Sequence, residues 1–389
     1  MKLLDFLITD KNGYPVDVKW KDIININEIS ALEKCQQSVK WHKEGNALIH
    51  TKNVVKSMFK KIKAYPEMSP NHACILIGAA LFHDLGKATT TEFKKNDWHS
   101  YGHEVESEKI LRKLLWDENF NTREILCALV AMHMEPLFYN PGNWFKKMMY
   151  AEARLSNIDP DFSVRDLIIL KWADTDGSTP SEEGKNDKDL QYLDTLIENS
   201  FFCNNILKQY NNSESAVKSF VTRESSKKNI TCIVMIGLPG AGKNYWIDNY
   251  LPKAYKGKTY GCVSRDDIRV KLGMCGIDEK YLGTSQEEEA VTRVFNTEIK
   301  NCAEQYDIVV INNINLRRKY RDSYKEILNK SFNVEWIYVY IEAPDLATNA
   351  TRRDGQIPAN QFPQMIRKFE WPVPEEYDDF YIFFSNDNN

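Results

Sequence analysis

The stretch Thr231-Cys-Ile-Val-Met-Ile-Gly237-Leu-Pro-Gly-Ala-Gly-Lys243 sets the fold of the C-terminal part of the chain. Its residues up to Ile236 are apolar and rich in β-favouring side chains, which is typical of a buried strand. The strand runs into the glycine-rich pattern Gly237-x-x-x-x-Gly242-Lys243 and then into a helical segment. A strand, a glycine-rich turn and a helix in this order predict an α/β domain with a parallel sheet.

The rest of the C-terminal part repeats this alternation. Short β-rich runs are separated by longer helical stretches, at residues 230–236, 258–264, 307–312 and 334–341. Because parallel strands need a helical crossover between them, this spacing again favours a parallel sheet.

The N-terminal part shows a different periodicity. Apolar residues recur at spacings of three and four over residues 47–62, 73–82, 105–115, 123–132 and 164–173, and we find no strand-like run. We therefore predict an all-α helical bundle. The polar segment 203–229 separates the two regimes, so we place the domain boundary near residue 222, with domains 1–222 and 223–389. Residues 176–189 are expected to form a surface loop.

Composition narrows the functional classes. The chain has 389 residues, a net charge of −4 and eight cysteines without a Cys-x-x-Cys pair. This charge argues against nonspecific coating of nucleic acid, but leaves open a local basic groove at residues 56–63 or 317–321, which solvated helix faces would equally explain. Single cysteines, no signal peptide and no long apolar run predict a cytoplasmic protein without membrane contact.

All seven histidines lie between His42 and His133. Several histidines and aspartates fall in phase with the apolar faces of predicted helices: His50, His83, Asp84, His133 and Asp174. Burying ionisable groups together is costly unless they share a partner, and a divalent metal is such a partner. For any one histidine, a core residue with one satisfied hydrogen bond is the simpler explanation, but His83-Asp84 followed by Gly86 is hard to justify by packing.

The glycine-rich pattern carries a second chemistry. Its backbone N–H groups can wrap a β-phosphate, the following helix adds positive potential, and Lys243 reaches the transferable phosphate. We therefore expect ATP or another NTP here, bound by Gly237, Pro239, Gly240, Ala241, Gly242, Lys243 and Asn244.

The histidine segment resembles the HD-domain phosphohydrolase superfamily over roughly residues 40–176. The match rests on Phe82-His-Asp-Leu-Gly-Lys87, and Trp41-His-Lys-Glu-Gly45 and His99-Ser-Tyr-Gly-His103-Glu104 are similar to the HD module of some bacterial CCA-adding enzymes, which acts on RNA 2′ and 3′ phosphates.

This resemblance implies one metal held by His50, His83, Asp84 and Asp174, and a second held by His103 and His133 with Asp84 as a bridge. It also implies that Lys87 neutralises the substrate phosphate. Nitrogen and carboxylate ligands suit Ni²⁺, Mn²⁺, Co²⁺, Fe²⁺ or Zn²⁺ equally. His42 and His99 remain open as ligands or substrate contacts, whereas His72 is expected to be structural.

Residues 230–375 resemble the polynucleotide kinase group. The match rests on Ser264-Arg-Asp266-Asp-Ile-Arg269 and Asn312-Asn-Ile-Asn315-Leu316, followed by Asn349-Ala-Thr-Arg352-Arg353. It implies that Asp266 is the general base toward a 5′-hydroxyl, that Arg269 grips the acceptor phosphate, and that Arg352 and Arg353 form an arginine lid over the transferring group.

Two positions depart from the kinase pattern. Asn244 stands where the loop usually has serine or threonine, and Asn313 stands where the third-strand motif usually has aspartate. An amide oxygen can ligate Mg²⁺ or Mn²⁺ but brings no negative charge, so both changes should weaken metal retention.

The two modules together resemble the bifunctional HD-Pnk type of RNA end-healing enzyme. This implies removal of a 2′,3′-cyclic phosphate or 2′/3′-phosphate and phosphorylation of a 5′-hydroxyl, with RNA ends as substrate, tRNA as one candidate, and a separate RNA ligase as the next enzyme. Two alternatives stay open: the P-loop domain is a non-catalytic sensor or recruiting module, or the HD module hydrolyses free nucleotides.

Overall fold

A computed structural model of the chain describes residues 1–137, 141–181, 226–274, 284–352, 357 and 359–385. It divides into two compact units, Met1–Ser219 and Phe220–Asn389. The boundary that we predicted near residue 222 lies outside the described residues. No described helix combines the length and the apolar character needed to cross a membrane.

The first unit is built from helices. Their bounds are α1 Trp20–Ile23, α2 Asn27–Ser30, α3 Ala47–Ile62, α4 Pro70–Phe82, α5 Lys87–Thr90, α6 His103–Leu114, α7 Phe120–Met132, α8 Pro141–Ile158 and α9 Val164–Gly177. Helix α4 is buried on nearly every side and packs against α3, α7 and α9. The helical fold class predicted for this part of the chain is confirmed.

Local sequence explains where these helices begin. Asn46, Ser69 and Ser163 each accept a hydrogen bond from a backbone N–H of the following helix, which satisfies donors that the first turn leaves unpaired. Helix α9 continues through Asp176 to Gly177, so the surface loop predicted to begin at Asp176 starts later. Residues 182–189 of that predicted loop lie outside the described residues.

The expectation of no strands in this unit was wrong. Strand β1 (Leu7–Thr9) pairs antiparallel with β2 (Pro15–Val18), and β3 (Glu92–Lys94) pairs antiparallel with β4 (Asp97–His99). The second hairpin turns at Lys95 and Asn96, which have φ of 52° and 61°, as a tight two-residue hairpin turn requires. Strands this short carry no readable periodicity, so the sequence pattern did not reveal them.

The second unit has a parallel sheet, as predicted. Its strands are β5 Lys228–Ile236, β6 Tyr260–Ser264, β7 Ile308–Asn312, β8 Phe332–Glu342 and β9 Asp379–Phe384. In the described part of the chain their order is β6-β7-β5-β8-β9, and every neighbouring pair is parallel. The helices are α10 Lys243–Asn249, α11 Leu251–Ala254, α12 Arg265–Lys271, α13 Ser285–Gln305, α14 Arg318–Leu328, α15 Leu346–Thr351 and α16 Phe362–Ile366.

The sheet places the kinase-like motifs at one edge. Asn312, at the end of β7, is in register with Ser264 at the end of β6 and with Met235 near the end of β5. The segments that follow these three strands therefore leave from the carboxyl edge of the sheet, where ligands bind in open α/β sheets. The central strands are held by buried apolar side chains such as Ile233, Val310 and Val339.

Candidate metal and nucleotide sites

The first candidate site gathers side chains from the ends of helices. His50 lies in the first turn of α3 and Asp174 near the end of α9, whereas His83 and His133 directly follow α4 and α7. The sixth predicted ligand, His103, is the first residue of α6. All of these side chains are buried, and so is that of Asp84.

Distances show how closely the set converges on Asp84. Its Oδ2 lies 3.2 Å from His83 Nε2 and 3.6 Å from His50 Nε2, and its Oδ1 lies 3.3 Å from His103 Nε2. On one side, Asp174 Oδ1 lies 2.9 Å from His50 Nε2. On the other side, His103 Nε2 lies 3.3 Å from His133 Nε2. The structure therefore brings all six predicted metal ligands into one cluster centred on Asp84.

The outward-facing nitrogen of each ring is occupied. Nδ1 donates to a backbone carbonyl in three of the rings: His83 to Ala80, His103 to Ser100 and His133 to Val130. In His50, Nδ1 lies 3.0 Å from Oε1 of Glu44. A ring that donates through Nδ1 presents the lone pair of Nε2, which is the form that ligates a metal.

Several buried polar atoms at the centre of the cluster lack a well-formed hydrogen bond. Among the described residues, Nε2 of His83 and both carboxylate oxygens of Asp84 are buried without a hydrogen bond of good geometry. Such atoms are costly to leave unpaired. A divalent cation accepts imidazole and carboxylate lone pairs at once, so this donor set fits a metal.

The charge states in the cluster suit metal binding. Burial disfavours the charged form of Asp84, but the neighbouring His83 ring and Lys87 ammonium group hold its pKa well below the usual value. Burial, together with the nearby His83 and His103 rings, lowers the pKa of His133. An ionised carboxylate beside a neutral imidazole is the pair of ligand forms that a metal requires.

Two buried lysines flank the cluster. Nζ of Lys87 lies 2.7 Å from Asp84 Oδ2 and donates to Gln37 Oε1 at 2.9 Å. Nζ of Lys171 donates to Asp174 Oδ2 at 2.6 Å. Lys171 and Gln37 were not among the predicted site residues, although Lys171 is one helical turn from Asp174 and its spacing could have signalled the contact.

Glu44 is a third residue that the sequence analysis missed. Its Oε1 contacts Nδ1 of both His42 and His50, and its Oε2 accepts a hydrogen bond from the Thr179 backbone N–H. His42, Glu44 and His50 also form a group with metal-ligand spacing. His72, by contrast, pairs with Asp166 and stacks on Phe162, as a structural histidine does.

The second candidate site is the glycine-rich loop after β5. Gly237, Gly240 and Gly242 all have positive φ, and Lys243 Nζ donates to the Gly237 and Leu238 carbonyls at 2.9 and 2.8 Å. A Cβ at Gly240 would lie only 2.3 Å from the backbone oxygen of Asn349. The loop therefore needs glycine at this position for both its backbone angle and its close contact.

Helix α15 packs against this loop and places Arg352 beside it. Asn349 Nδ2 donates to the Pro239 carbonyl at 2.9 Å, and Arg352 Nη1 lies 3.4 Å from the Gly240 carbonyl and 3.0 Å from Ser385 Oγ. The predicted lid arginine is thus adjacent to the loop. The second predicted lid residue, Arg353, lies outside the described residues.

The two departures from the kinase pattern lie at the same edge of the sheet. Asn312 Nδ2 donates to Asn244 Oδ1 at 2.8 Å, so the amide oxygen of Asn244 already has a donor. The side chain of Asn313 accepts a hydrogen bond from the Ile314 backbone N–H. Neither amide supplies a negative charge for a hard cation.

The motif after β6 forms an ion-pair cluster. Arg269 Nη1 pairs with Asp266 Oδ1 at 2.7 Å, and Arg269 and Arg265 both bond to Glu288 of α13. Glu288 was not predicted from the sequence because it lies on another helix. It also lines a surface cavity of about 610 Å³ beside this cluster.

The basic stretch 317–321 is exposed at residues 318–320 but not at its last residue. Its last residue, Arg321, is fully buried and forms a bidentate pair with Glu376 at 2.6 and 3.1 Å. In the other basic stretch, Lys61 lies over the Trp172 ring and pairs with Asp176. Both residues contribute to packing within their own units.

The buried histidines and aspartates around Asp84 in the helical unit, and the glycine-rich loop after β5 in the second unit, indicate two different classes of domain in one chain. Residues 48–175 match the family model of the HD domain, and residues 232–372 match that of an AAA domain. The chain thus carries an HD domain, a type that binds divalent metal, and a P-loop kinase-like domain, a type that binds nucleotide. No curated protein has significant similarity to the chain.

Proposed function

We propose that this protein heals broken RNA ends, and that it acts at both ends of a break. Its HD domain would remove a 2′,3′-cyclic phosphate or a 2′/3′-phosphate, and its P-loop domain would phosphorylate a 5′-hydroxyl. The observation that carries the proposal is the presence of both residue sets in one chain: the cluster around Asp84 in the HD domain, and Lys243, Asp266, Arg269 and Arg352 in the P-loop domain.

In the hydrolase half, His50, His83, Asp84 and Asp174 would hold one divalent metal, and His103 and His133 would hold a second with Asp84. One or two ions among Ni²⁺, Mn²⁺, Co²⁺, Fe²⁺ and Zn²⁺ would supply Lewis acidity and a bound water of lowered pKa. Lys87, beside Asp84, would neutralise the substrate phosphate. Water opens the cyclic diester to a monoester, and a second water releases inorganic phosphate and leaves two hydroxyls.

In the kinase half, Asp266 would accept the proton of the RNA 5′-hydroxyl, whose oxygen attacks the γ-phosphorus of ATP. The bond from that phosphorus to the bridging oxygen breaks, so ADP leaves. Lys243 and Arg352 would stabilise charge on the transferring group, and Arg269 would bind the acceptor phosphate. Mg²⁺ or Mn²⁺ would neutralise charge on the nucleotide phosphates.

The products define the next reaction. A 3′-hydroxyl and a 5′-phosphate are the ends that a classical RNA ligase joins, so a separate ligase would act after this protein. Cleaved tRNA is one candidate substrate. Six free cysteines among the described residues suit the reducing cytoplasm as the site of action.

The test is end-group analysis of a labelled RNA that carries a 5′-hydroxyl and a 2′,3′-cyclic phosphate. Wild-type protein with ATP and a panel of divalent metals should change both ends. Lys243→Ala should lose only the 5′ reaction, and Asp84→Ala only the 3′ reaction. If purified wild-type protein alters neither end with any metal, the proposal is wrong.

A second candidate function keeps the hydrolase and makes the P-loop domain a nucleotide or RNA sensor. The contact between Asn244 and Asn312 favours it, because the position that usually supplies a hydroxyl to the metal is an amide with a donor already in place. Robust wild-type kinase activity would eliminate this candidate. Activity that appears only in Asn244→Ser or Asn313→Asp would support it.

A further inference from the structure

The exposed aromatic side chains of the first unit lie on chain segments that connect to the cluster around Asp84. Among its described residues, the large aromatic side chains classed as exposed are Trp41, Phe93 and Tyr101, with 45%, 58% and 74% of their surface accessible. Single exposed apolar side chains are common on protein surfaces and need no explanation. Three exposed aromatic side chains on segments connected to one buried site do need an explanation.

Two of the three aromatics, Trp41 and Tyr101, are connected to the cluster through their neighbours in the chain. Trp41 precedes His42, whose ring centroid lies 4.6 Å from that of His50. Tyr101 follows Ser100, whose carbonyl accepts the hydrogen bond from His103 Nδ1. Both aromatics therefore lie within two residues of a group that contacts or forms the cluster.

Phe93 belongs to the same surface through the β3–β4 hairpin. Its ring contacts that of Trp98 across the strands at 5.1 Å. The hairpin is joined to the Trp41 segment because Ser38 donates to Asp97 at 2.6 Å. The residue before Ser38, Gln37, accepts the hydrogen bond from Lys87. The three aromatics thus lie on connected segments.

Positive charge accompanies these rings. Lys40 Nζ lies 4.9 Å from the centroid of the Trp41 ring, and Lys95 is exposed at the turn of the hairpin. The adjacent Lys94 is also exposed, and it pairs with Glu92. The His99 and Tyr101 rings are already stacked, with centroids 5.2 Å apart and planes 8° from parallel. Exposed aromatic faces interleaved with lysines are the combination that binds single-stranded nucleic acid, because bases stack on the rings and phosphates pair with the ammonium groups.

We propose that Trp41, Phe93 and Tyr101 form a base-stacking surface for the unpaired 3′-terminal nucleotides of the RNA substrate. This aromatic surface would hold the nucleotides that precede the terminal phosphate. The inference rests on the proposed function, since that function places an RNA 3′ end at the cluster. It goes further by assigning single-strand recognition to side chains outside the metal ligands.

Binding is tested with the full-length protein and a 5′-fluorescein single-stranded RNA ending in a 3′-hydroxyl, without ATP or metal. The dye replaces the 5′-hydroxyl, which is the group that the proposed kinase site would bind. Loss of one stacked base corresponds to about 1–3 kcal/mol, or roughly 5- to 150-fold in Kd. Trp41→Ala, Phe93→Ala and Tyr101→Ala should each weaken binding within this range. Tyr381→Ala, the loss of an exposed aromatic side chain on strand β9 of the second unit, should leave binding unchanged.

Hydrolysis gives an independent test that also checks folding. The three variants should lose kcat/KM on an oligonucleotide 2′,3′-cyclic phosphate but keep wild-type activity on a mononucleotide 2′,3′-cyclic phosphate. Abasic sites next to the 3′ end should lower wild-type activity to that of the variants and should cost the variants nothing more. Equal losses on both substrates, or no loss on either, would contradict the proposal.

The two proposals fail in distinguishable ways. If RNA binding depends on the three aromatics but the RNA ends do not change, the proposed aromatic surface stands and the proposed end-healing function is wrong. Removal of the terminal phosphate with unchanged binding in all three variants would retain the function and remove the surface.

Discussion

The carboxylate of Glu44 lies 3.0 Å from Nδ1 of His50, whereas the other ring nitrogen of His50, Nε2, contacts Asp174. The Glu44 side chain is almost fully buried and also accepts the Thr179 backbone N–H. A carboxylate in this position orients the imidazole, fixes the proton on Nδ1 and raises the basicity of Nε2. Glu44 is therefore a positioning residue, which acts on the candidate metal through His50.

We predict that Glu44→Gln keeps the fold but weakens metal binding about 10- to 100-fold, the usual effect of losing such a carboxylate. Metal affinity measured by competition with a chromogenic chelator checks this without reference to activity. Glu67→Gln, a change of the same type at an exposed position, is the matched control. Unchanged affinity in Glu44→Gln would show that its carboxylate does not act on the site.

A buried charge network should make the stability of the first unit pH-dependent. Glu124 is fully buried and bonds to Arg112 and Arg123. Burial opposes its charge, but Arg112 and Arg123 outweigh that effect and lower its pKa from 4.5 to about 2. Because the folded pKa is depressed, the stabilisation is fully present above pH 4.5 and is lost as pH falls toward 2. The shift corresponds to a contribution on the order of 3 kcal/mol.

Glu124→Gln should remove that acid dependence. It should also lower the free energy of unfolding at pH 7 by about 3–5 kcal/mol, because it leaves buried guanidinium charge uncompensated. Urea unfolding of both full-length proteins between pH 2 and 7 would measure the two effects. An identical acid dependence in the variant would mean that other carboxylates cause it.

Gly240→Ala should abolish nucleotide binding by the P-loop domain. The residue has φ of +75° and an added Cβ would lie 2.3 Å from the Asn349 backbone oxygen, so the loop must shift. Gly257→Ala is the matched control, since Gly257 has φ of +82° but no atom within 4 Å of the added Cβ. Both variants carry the backbone penalty of about 1–2 kcal/mol. Titration calorimetry with ATP should show loss of binding only in Gly240→Ala.

Asn244→Ser should lower the Mg²⁺ concentration needed for half-maximal kinase activity. The change removes an amide that Asn312 already engages and restores a hydroxyl, a hard-cation ligand at this position of P-loops. Kinase assays over a Mg²⁺ series at saturating ATP would measure the shift. An increased requirement for Mg²⁺ would indicate that the Asn244 amide itself is the better ligand.

Sequence reasoning succeeded where a signal is local. Helix α3 was predicted at its observed bounds from its apolar spacing alone. Five of the six predicted metal ligands were readable from helix phase or from the end of a helix, whereas His103, the first residue of α6, was expected from the family resemblance. Strand β9 was not predicted, although residues 380–384 are aromatic or β-branched; it lies at the sheet edge with its side chains partly or largely exposed.

The contacts that escaped prediction are those created by tertiary packing. Glu44 lies in a loop and meets Thr179, far along the chain, only after folding. Glu288 reaches Arg269 from a separate helix. Periodicity reports which face of an element is buried, but not which element is packed against it, so neither residue could be assigned from its own neighbourhood.

Asn349 contacts the glycine-rich loop at two points. Its side-chain amide donates to the Pro239 carbonyl, and its backbone oxygen lies close to Gly240. Arg352 directly follows the same short helix, so these two contacts hold the arginine close to the loop that would bind the phosphates. The conformational entropy of Arg352 would then be lost when the chain folds and not when the substrate binds. The domain would then bind its nucleotide with the positive charge of Arg352 already in position for the transition state. Removing the side-chain contact of Asn349 should therefore slow phosphoryl transfer more than it weakens ATP binding.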